Sequence, residues 1–264
     1  MKISACDRTP ILQPCNVQGY AYQVDPYIGC EHCCCYCYAL NQAETDWTQE
    51  VRAYKDIGGQ LKQELAAVGP QPIYIGWASD PYQPAEVEHC QTRQALEVLA
   101  DARCPACILT KSDLVTRDLD LLAAMPGSSA GVSLAFDDDD VRRLFERGAP
   151  PNRRRIAALK TIKDAGLQTY VLIAPVMPFI TDVRALIEMA APYADTVWIY
   201  PLTMVTEADR NWQNVRQVLA RHFPWHVEPY RRIAFTRDDS YWAELRCQLQ
   251  RLQRDGRLNM RIEL

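Results

Sequence analysis

The sequence predicts an α/β fold: a parallel (β/α) sheet curved into a partial or full barrel, with a small helical extension at its C-terminal end. Three observations carry this reading. From Ile73 onward, short apolar segments alternate with amphipathic ones. The chain has 264 residues, a length at which an α/β barrel commonly forms one domain. Its composition, 48% hydrophobic and 23% charged, supplies an ordinary globular core and excludes disorder as the main state.

Before Ile73, a strand precedes a cysteine-rich segment, a second strand is expected at Val51 to Lys55, and a helix near Gln60 to Val68 leads to the Gly69-Pro70 turn. Ile73 to Trp77 reads as a buried strand. A helix from Thr92 to Ala102 follows, with Ala95, Leu96 and Leu99 on one face. Ala106 to Thr110 is the next strand, Arg117 to Met125 a helix and Gly131 to Ala135 a strand. The acidic run Asp137 to Asp140 reads as a solvated loop. A helix from Asn152 to Ala165 ends at Gly166, the place of a left-handed cap. Gln168 to Ala174 (strand), Asp182 to Ala191 (helix) and Thr196 to Tyr200 (strand) complete the run. Repeated strand and helix imply parallel strands joined by right-handed crossovers. Helices at Glu207 to His222 and Tyr241 to Arg254 belong to the extension, placed to close one mouth of the barrel. The division expected is 1–205 for the core with its cysteine segment and 206–264 for the extension.

Lys and Arg number 29 against 33 Asp and Glu, so the net charge of -4 gives no global attraction to nucleic acid or anionic lipid. No apolar run approaches the roughly 20 residues that span a bilayer, and Met1-Lys2-Ile3-Ser4 opens no signal-peptide pattern. A cytoplasmic protein without a membrane partner is expected. Eleven cysteines are unusual in such a chain, and five of them (Cys30, Cys33, Cys34, Cys35 and Cys37) fall within eight residues. Disulfides are a poor explanation of an odd, clustered set in a reducing compartment, and metal is a better one.

The spacing Cys30-x3-Cys34-x2-Cys37 puts three thiolates on one loop. Three thiolates can hold three irons of a four-iron cubane and leave the fourth iron open, which is what catalysis at a metal requires. With the aromatic Tyr36 before the last cysteine, the pattern resembles the radical S-adenosylmethionine (SAM) superfamily. Pro26-Tyr27-x-Gly29-Cys30-x-His32-x-Cys34-x-Tyr36-Cys37-Tyr38-Ala39, Ser79-Asp80-Pro81-Tyr82-Gln83-Pro84, Thr92-Arg93, Thr110-Lys111-Ser112, Arg117-Asp118, Gly148-Ala149-Pro150 and Ala174-Pro175 are similar to the branch related to spore photoproduct lyase. The resemblance covers roughly Tyr22 to Asp182.

That resemblance implies a barrel of radical SAM type, a [4Fe-4S] cluster on Cys30, Cys34 and Cys37, and SAM chelating the open iron. Reductive cleavage of SAM would give a 5′-deoxyadenosyl radical that takes hydrogen from an unknown substrate, with nucleic acid or nucleotide as candidates. An electron donor such as flavodoxin or ferredoxin is implied as a partner. Ser79 and Asp80 would meet the methionine ammonium, Lys111 its carboxylate, with Ser133 late on a third strand and Tyr36 near the adenine. Tyr38 matches a tyrosine that serves the lyase in radical return. Trp77 stands where the lyase keeps a hydrogen-donating cysteine, which argues against repair of spore photoproduct.

Other readings compete. Cys34 and Cys37 with Cys104 and Cys107 would make a four-thiolate zinc knuckle, giving a structural or electron-transfer protein rather than an enzyme. Cys6, Cys15, Cys104 and Cys107 could hold an auxiliary cluster. Cys33 and Cys35 must point away from a cluster, and His32 would shape the loop. Asp80 and Lys111 could form a rim salt bridge. Arg142, Arg143, Arg147, Arg153, Arg154 and Arg155 are opposed only by Glu146, which leaves that segment at +5: a solvated helix face, or a phosphate-contacting strip of a nucleic-acid repair or binding module.

Overall fold

The computed structural model describes residues 1–256 and 259–264. Strands β1 (Lys2–Cys6), β2 (Leu12–Pro14), β3 (Tyr22–Val24) and β4 (Tyr27–Ile28) precede the cysteine loop, which is followed by β5 (Glu50–Tyr54) and α1 (Ile57–Val68). The repeating part runs β6 (Ile73–Ile75), α2 (Glu86–His89), α3 (Gln91–Asp101), β7 (Ala106–Thr110), α4 (Leu119–Ala123), β8 (Ser129–Leu134), α5 (Asp139–Phe145), α6 (Asn152–Asp164), β9 (Gln168–Val176), α7 (Val183–Ala190) and β10 (Thr196–Pro201). Helices α8 (Arg210–His222), α9 (Val227–Ile233) and α10 (Ser240–Asp255) lead to β11 (Met260–Ile262).

Eight strands form one sheet in the order β11-β10-β9-β8-β7-β6-β3-β2. All pairings are parallel except the β2–β3 hairpin. Among the described residues no pairing joins β2 to β11, so the barrel is partial, not full. A second sheet, β1-β5-β4, lies at the N-terminal side and flanks the cysteine loop.

Strand residues split by parity, as pleating requires. Ile73, Ile75, Ala106, Ile108 and Ala130 are buried with α1 and α3 in one core. Val132, Leu134, Val171, Ile173, Val197 and Ile199 are buried against α7 and α10 in another. The alternate residues Tyr74, Cys107, Ser129, Gly131, Ser133, Tyr170 and Trp198 therefore line the concave face. A side chain at Gly131 would run into the Tyr170 ring, so the bare backbone is what lets that ring lie flat on the sheet.

Four elements differ from expectation for local reasons. The acidic run expected as a loop instead opens α5: Asp138 caps it by accepting from the Asp140 and Val141 amides, and Asp139 and Asp140 form its first turn. The β6 strand stops at Ile75 because Gly76, at φ +92°, turns the chain where a Cβ would sit 3.0 Å from the Leu109 carbonyl. The helix expected from Arg117 starts only at Leu119. Arg117 pairs with Glu86 and Asp118, and Arg93 with Asp118, which fixes a preceding 3-10 turn, Asp113–Asp118. The extension holds the expected helices as α8 and α10, and it also adds the parallel edge strand β11, a three-residue segment too short to announce itself by period.

Candidate active site

The cysteine loop is shaped by contacts far away in sequence. Gly29, at φ +94°, turns the chain under Trp47, whose ring would sit 3.2 Å from a Cβ there. Cys33 takes a left-handed conformation at φ 47°, which folds Cys30 to Cys37 into successive tight turns: Cys33 N–H donates to the Cys30 carbonyl (3.2 Å) and Cys37 N–H to that of Cys34 (3.1 Å). The segment after α5 is the template beneath. Cys35 N–H donates to the Phe145 carbonyl (2.9 Å), Cys34 bridges to Glu146, and Gly148 N–H donates to the His32 carbonyl (3.0 Å). Any side chain at Gly148 would collide with the Glu31 carbonyl.

Cys30 and Cys34 are buried and Cys37 is half-buried. Burial pushes all three thiols up, Cys34 to about 12 although the Lys111 charge acts the other way. Cys30 feels the charges of Asp80 and Cys34, and Cys34 that of Cys37, so the three share one pocket. Thiolates in so dry a place need cationic compensation, which a metal cluster supplies. Among the described residues no three His, Cys, Asp or Glu side chains converge as ligands of a single ion. A cubane needs no such convergence, because each thiolate binds its own iron. Cys33 Sγ turns to the Trp47 carbonyl (3.4 Å).

The zinc knuckle is not built. Cys104 is buried among Ile11, Leu61 and Leu99 in the first core, and Cys107 faces the concave side against the Tyr170 hydroxyl at 3.4 Å. The four thiols of the auxiliary cluster are split between the two sides of the sheet, Cys104 in the helix-side core and Cys107 on the concave face, so they share no cluster site.

Polar residues at the C-terminal ends of β3, β6, β7 and β8 surround the loop. Asp80 is fully engaged: Thr110 Oγ1 (2.6 Å) and Tyr82 N–H (2.9 Å) donate to Oδ1, Lys111 N–H (2.8 Å) to Oδ2, and His32 Nδ1 lies 3.2 Å from Oδ2. Burial works against its charge, but His32, Thr110 and the Lys111 amide hold the carboxyl well below its usual range. The Lys111 amine does not pair with it. Nζ donates to Ser133 Oγ (3.2 Å) and stands 5.9 Å over the Tyr36 ring. Burial depresses this amine, yet Cys34 and Glu146 more than offset it and keep it cationic. Ser79 Oγ is buried without a partner, an orphan aimed at nothing the chain supplies.

Four residues here carry site roles that the sequence does not assign: Asp25, Asn211, and Glu146 and Arg155, which read there only as surface charge. Asp25, after β3, accepts from Ala78 N–H (2.7 Å) and Ser79 N–H (3.1 Å), so it holds the loop that carries Ser79; burial raises its carboxyl to about 6. Glu146 and Arg155 form an ion pair with no exposure on either side. Tyr36 donates its hydroxyl to Glu146, and Arg155 donates to the Ser133 carbonyl (2.8 Å). Asn211, at the start of α8, donates to the Tyr36 carbonyl (3.4 Å). The same geometry dismantles the arginine strip. Arg142 and Arg155 are buried, while Arg143 pairs with Asp140 and Arg154 with Asp113. The six positive charges never shared a surface because two of them serve the interior.

Tyr38 and Trp77 mark the open side, 49% and 36% exposed, with ring centroids 5.4 Å apart and the Tyr38 hydroxyl donated to the Trp77 carbonyl.

Comparison with known proteins places this arrangement. A family model described as the radical SAM superfamily matches residues 24–190. An uncharacterised protein of Methanocaldococcus jannaschii is 31% identical over 188 residues, 70% of this chain and 71% of its own length. An uncharacterised protein of Mycobacterium tuberculosis is 32% identical over 231 residues, covering 81% of this chain and 67% of its own. A radical SAM Nalpha-GlyT isomerase of Pseudomonas phage M6 is 25% identical over 207 residues, 76% of this chain and 42% of its own. Among solved structures, a spore photoproduct lyase variant with bound AdoMet and dinucleoside spore photoproduct superposes at TM-score 0.62 with 18% identity, covering 83% of this chain and 65% of that one. Streptococcus suis SuiB bound to S-adenosylmethionine superposes at 0.57 with 13% identity, covering 92% and 50%.

Proposed function

This chain belongs to the radical SAM superfamily, and we propose from that premise that its Cys30, Cys34 and Cys37 hold the [4Fe-4S] cluster and that the ends of β6, β7 and β8 hold SAM. It is a radical SAM enzyme with the fold of spore photoproduct lyase. Its cofactors are those of the family, a [4Fe-4S] cluster and SAM. The observation that supports the residue assignment is that Cys34 lies within electrostatic reach of Cys30, Cys37 and the Lys111 ammonium, and Cys30 within that of Asp80, whose chain neighbour Ser79 carries an orphan hydroxyl. When bound, the pair supplies a 5′-deoxyadenosyl radical from reductive cleavage of the sulfonium.

The chain's own residues do the rest. Lys111, oriented by Ser133, offers a fixed positive charge to a carboxylate. Ser79 offers the unfilled hydroxyl to the ammonium end, and Asp80, its oxygens held by the protein, is the negative charge behind it. Tyr36, pinned by Glu146 and Asn211, offers a rigid face for a planar base. Anaerobic reconstitution with iron and sulfide, reduction and chromatography for 5′-deoxyadenosine test the whole. Lys111→Ala is expected to retain the cluster but bind SAM with roughly 10- to 100-fold lower affinity, the equivalent of one lost charge-assisted contact. Titration calorimetry giving wild-type affinity would reduce Lys111 to a structural cation.

The substrate proposed is a molecule carrying a nucleobase, received at the aromatic mouth formed by Tyr38 and Trp77; one structural neighbour carries a dinucleoside. Tyr38 would relay hydrogen there, and a small redox protein of the flavodoxin or ferredoxin class would supply electrons. No helix among the described residues is long and apolar enough to cross a membrane.

An indole at 77 has no thiol hydrogen to give. The reduced protein with SAM is therefore expected to form 5′-deoxyadenosine yet leave a spore-photoproduct dinucleotide intact, and Trp77→Cys alone is not expected to confer repair. Chromatographic recovery of two thymidines with catalytic turnover by the wild type would overturn both the substrate separation and the role given to Trp77.

A further inference from the structure

A line of oxidisable side chains crosses the concave face from the mouth to its floor. It begins at Tyr38, the neighbour of Cys37. The Tyr38 and Trp77 rings are 5.4 Å apart, and Trp77 and Tyr74 6.2 Å. Tyr74 pairs in register with Cys107 on β7, and both point to the concave side. Cys107 Sγ is 3.4 Å from the Tyr170 hydroxyl, whose one proton is donated to the Ile108 carbonyl (2.7 Å), so the thiol is the donor in that contact. Half-buried Tyr20 lies 5.7 Å from Tyr74 and leads toward solvent.

We propose that Tyr38, Trp77, Tyr74 and Cys107 form a relay that drains oxidising equivalents from the mouth of the chamber to a thiol on its floor. Phenol, indole and thiol are the side chains a strong one-electron oxidant attacks, and each one here lies beside the next. A carbon radical R• that meets no substrate takes hydrogen from the exposed phenol: R• + Tyr38–OH gives R–H + Tyr38–O•. An electron then moves from Cys107 through Tyr74 and Trp77 to Tyr38. Tyr38 gains a proton from water and Cys107 releases one past Tyr20, so that Tyr38–O• + Cys107–SH becomes Tyr38–OH + Cys107–S•. A low-molecular-weight thiol R′SH restores Cys107 by giving up hydrogen, and two R′S• couple to a disulfide. The relay protects the mouth from covalent damage and uses a cysteine that the cluster leaves free.

The inference rests on the proposed function only for the origin of R•, and two measurements keep the two apart. Tyr74→Phe removes one oxygen and the oxidisable ring character, and Cys107→Ser removes the terminus; both preserve shape. In reduced, SAM-loaded protein without substrate, freeze-quenched for electron paramagnetic resonance with ring-deuterated tyrosine, both variants are expected to accumulate an aromatic radical that the wild type does not. In the cluster-free full chain, oxidised by flash-generated azidyl radicals in a Trp225→Phe background that removes the most exposed indole, the fast phase of indole-radical decay should be lost in both variants. A fast phase that is missing from the parent, or unchanged in both variants, overturns the relay. Absence of 5′-deoxyadenosine in the first measurement defeats the proposed function instead, while the second still decides the relay.

Discussion

Cys34→Ala protein, reconstituted anaerobically with iron and sulfide, is expected to hold almost no iron where the wild type holds about four per chain. Cys34 stands at the centre of the assigned ligand set. It is buried, it shares the electrostatics of Cys37 and Lys111, and its backbone is tied to Glu146, so no neighbouring thiol can slide into its place. Cys35 is fixed by its amide to the Phe145 carbonyl, and Cys33 is turned to Trp47 by its left-handed backbone. Cys33→Ala and Cys35→Ala should therefore keep the full iron content. Iron and acid-labile sulfide assays with the visible absorption band check all three variants, and stoichiometric zinc without sulfide in the wild type would sink the assignment.

Arg155→Met is expected to lower stability by about 3–5 kcal/mol, the usual result of stripping one partner from a buried ion pair. Neither partner has any exposure, and Glu146 has no water to turn to once Arg155 is gone. Its carboxyl is now held down by Arg155 first and Lys111 second, against the opposing effect of burial. At roughly 2–4 °C per kcal/mol for a domain approaching this size, the melting temperature should fall by roughly 6–20 °C. The paired change Arg155→Met with Glu146→Gln should recover much of that loss, since a neutral amide needs no cation and can still accept from Tyr36. Urea unfolding of the cluster-free chain reads both variants; a single-variant loss under about 1 kcal/mol would mean that the pair is solvated.

The sequence exposes what repeats or clusters. The strand and helix alternation is legible from Ile73 onward because strands buried on the helix side are short apolar runs, and the five thiols within eight residues announce a metal loop. Ser79, Asp80, Lys111 and Ser133 follow from resemblance, and the structure gathers them at neighbouring strand ends. What stays hidden depends on partners distant along the chain. Glu146 and Arg155 read as surface charge because nothing in a local window shows that α5 and α6 turn those two side chains toward Tyr36. Asp25 hides for the same reason: its partners are amides 53 and 54 residues on. The β11 strand is three residues long and parallel to its partner, so Gly256 and Asn259 before it signal a break after α10 but the segment is too short to show a strand period.

The close seat of the cysteine loop on Gly148 bears on how the enzyme matures. The loop takes its turns against Phe145, Glu146 and Gly148, residues that belong to or follow α5, with Phe145 and Glu146 buried in the protein core. An iron–sulfur donor in the cell would thus meet a chamber already formed and deliver to a finished cradle, in contrast to a zinc finger, whose metal is the nucleus around which the chain condenses. One methyl group at Gly148 would run into the Glu31 carbonyl beneath the cysteine loop, so Gly148→Ala is expected to unseat the loop and lower iron content, which an iron assay beside far-UV circular dichroism checks.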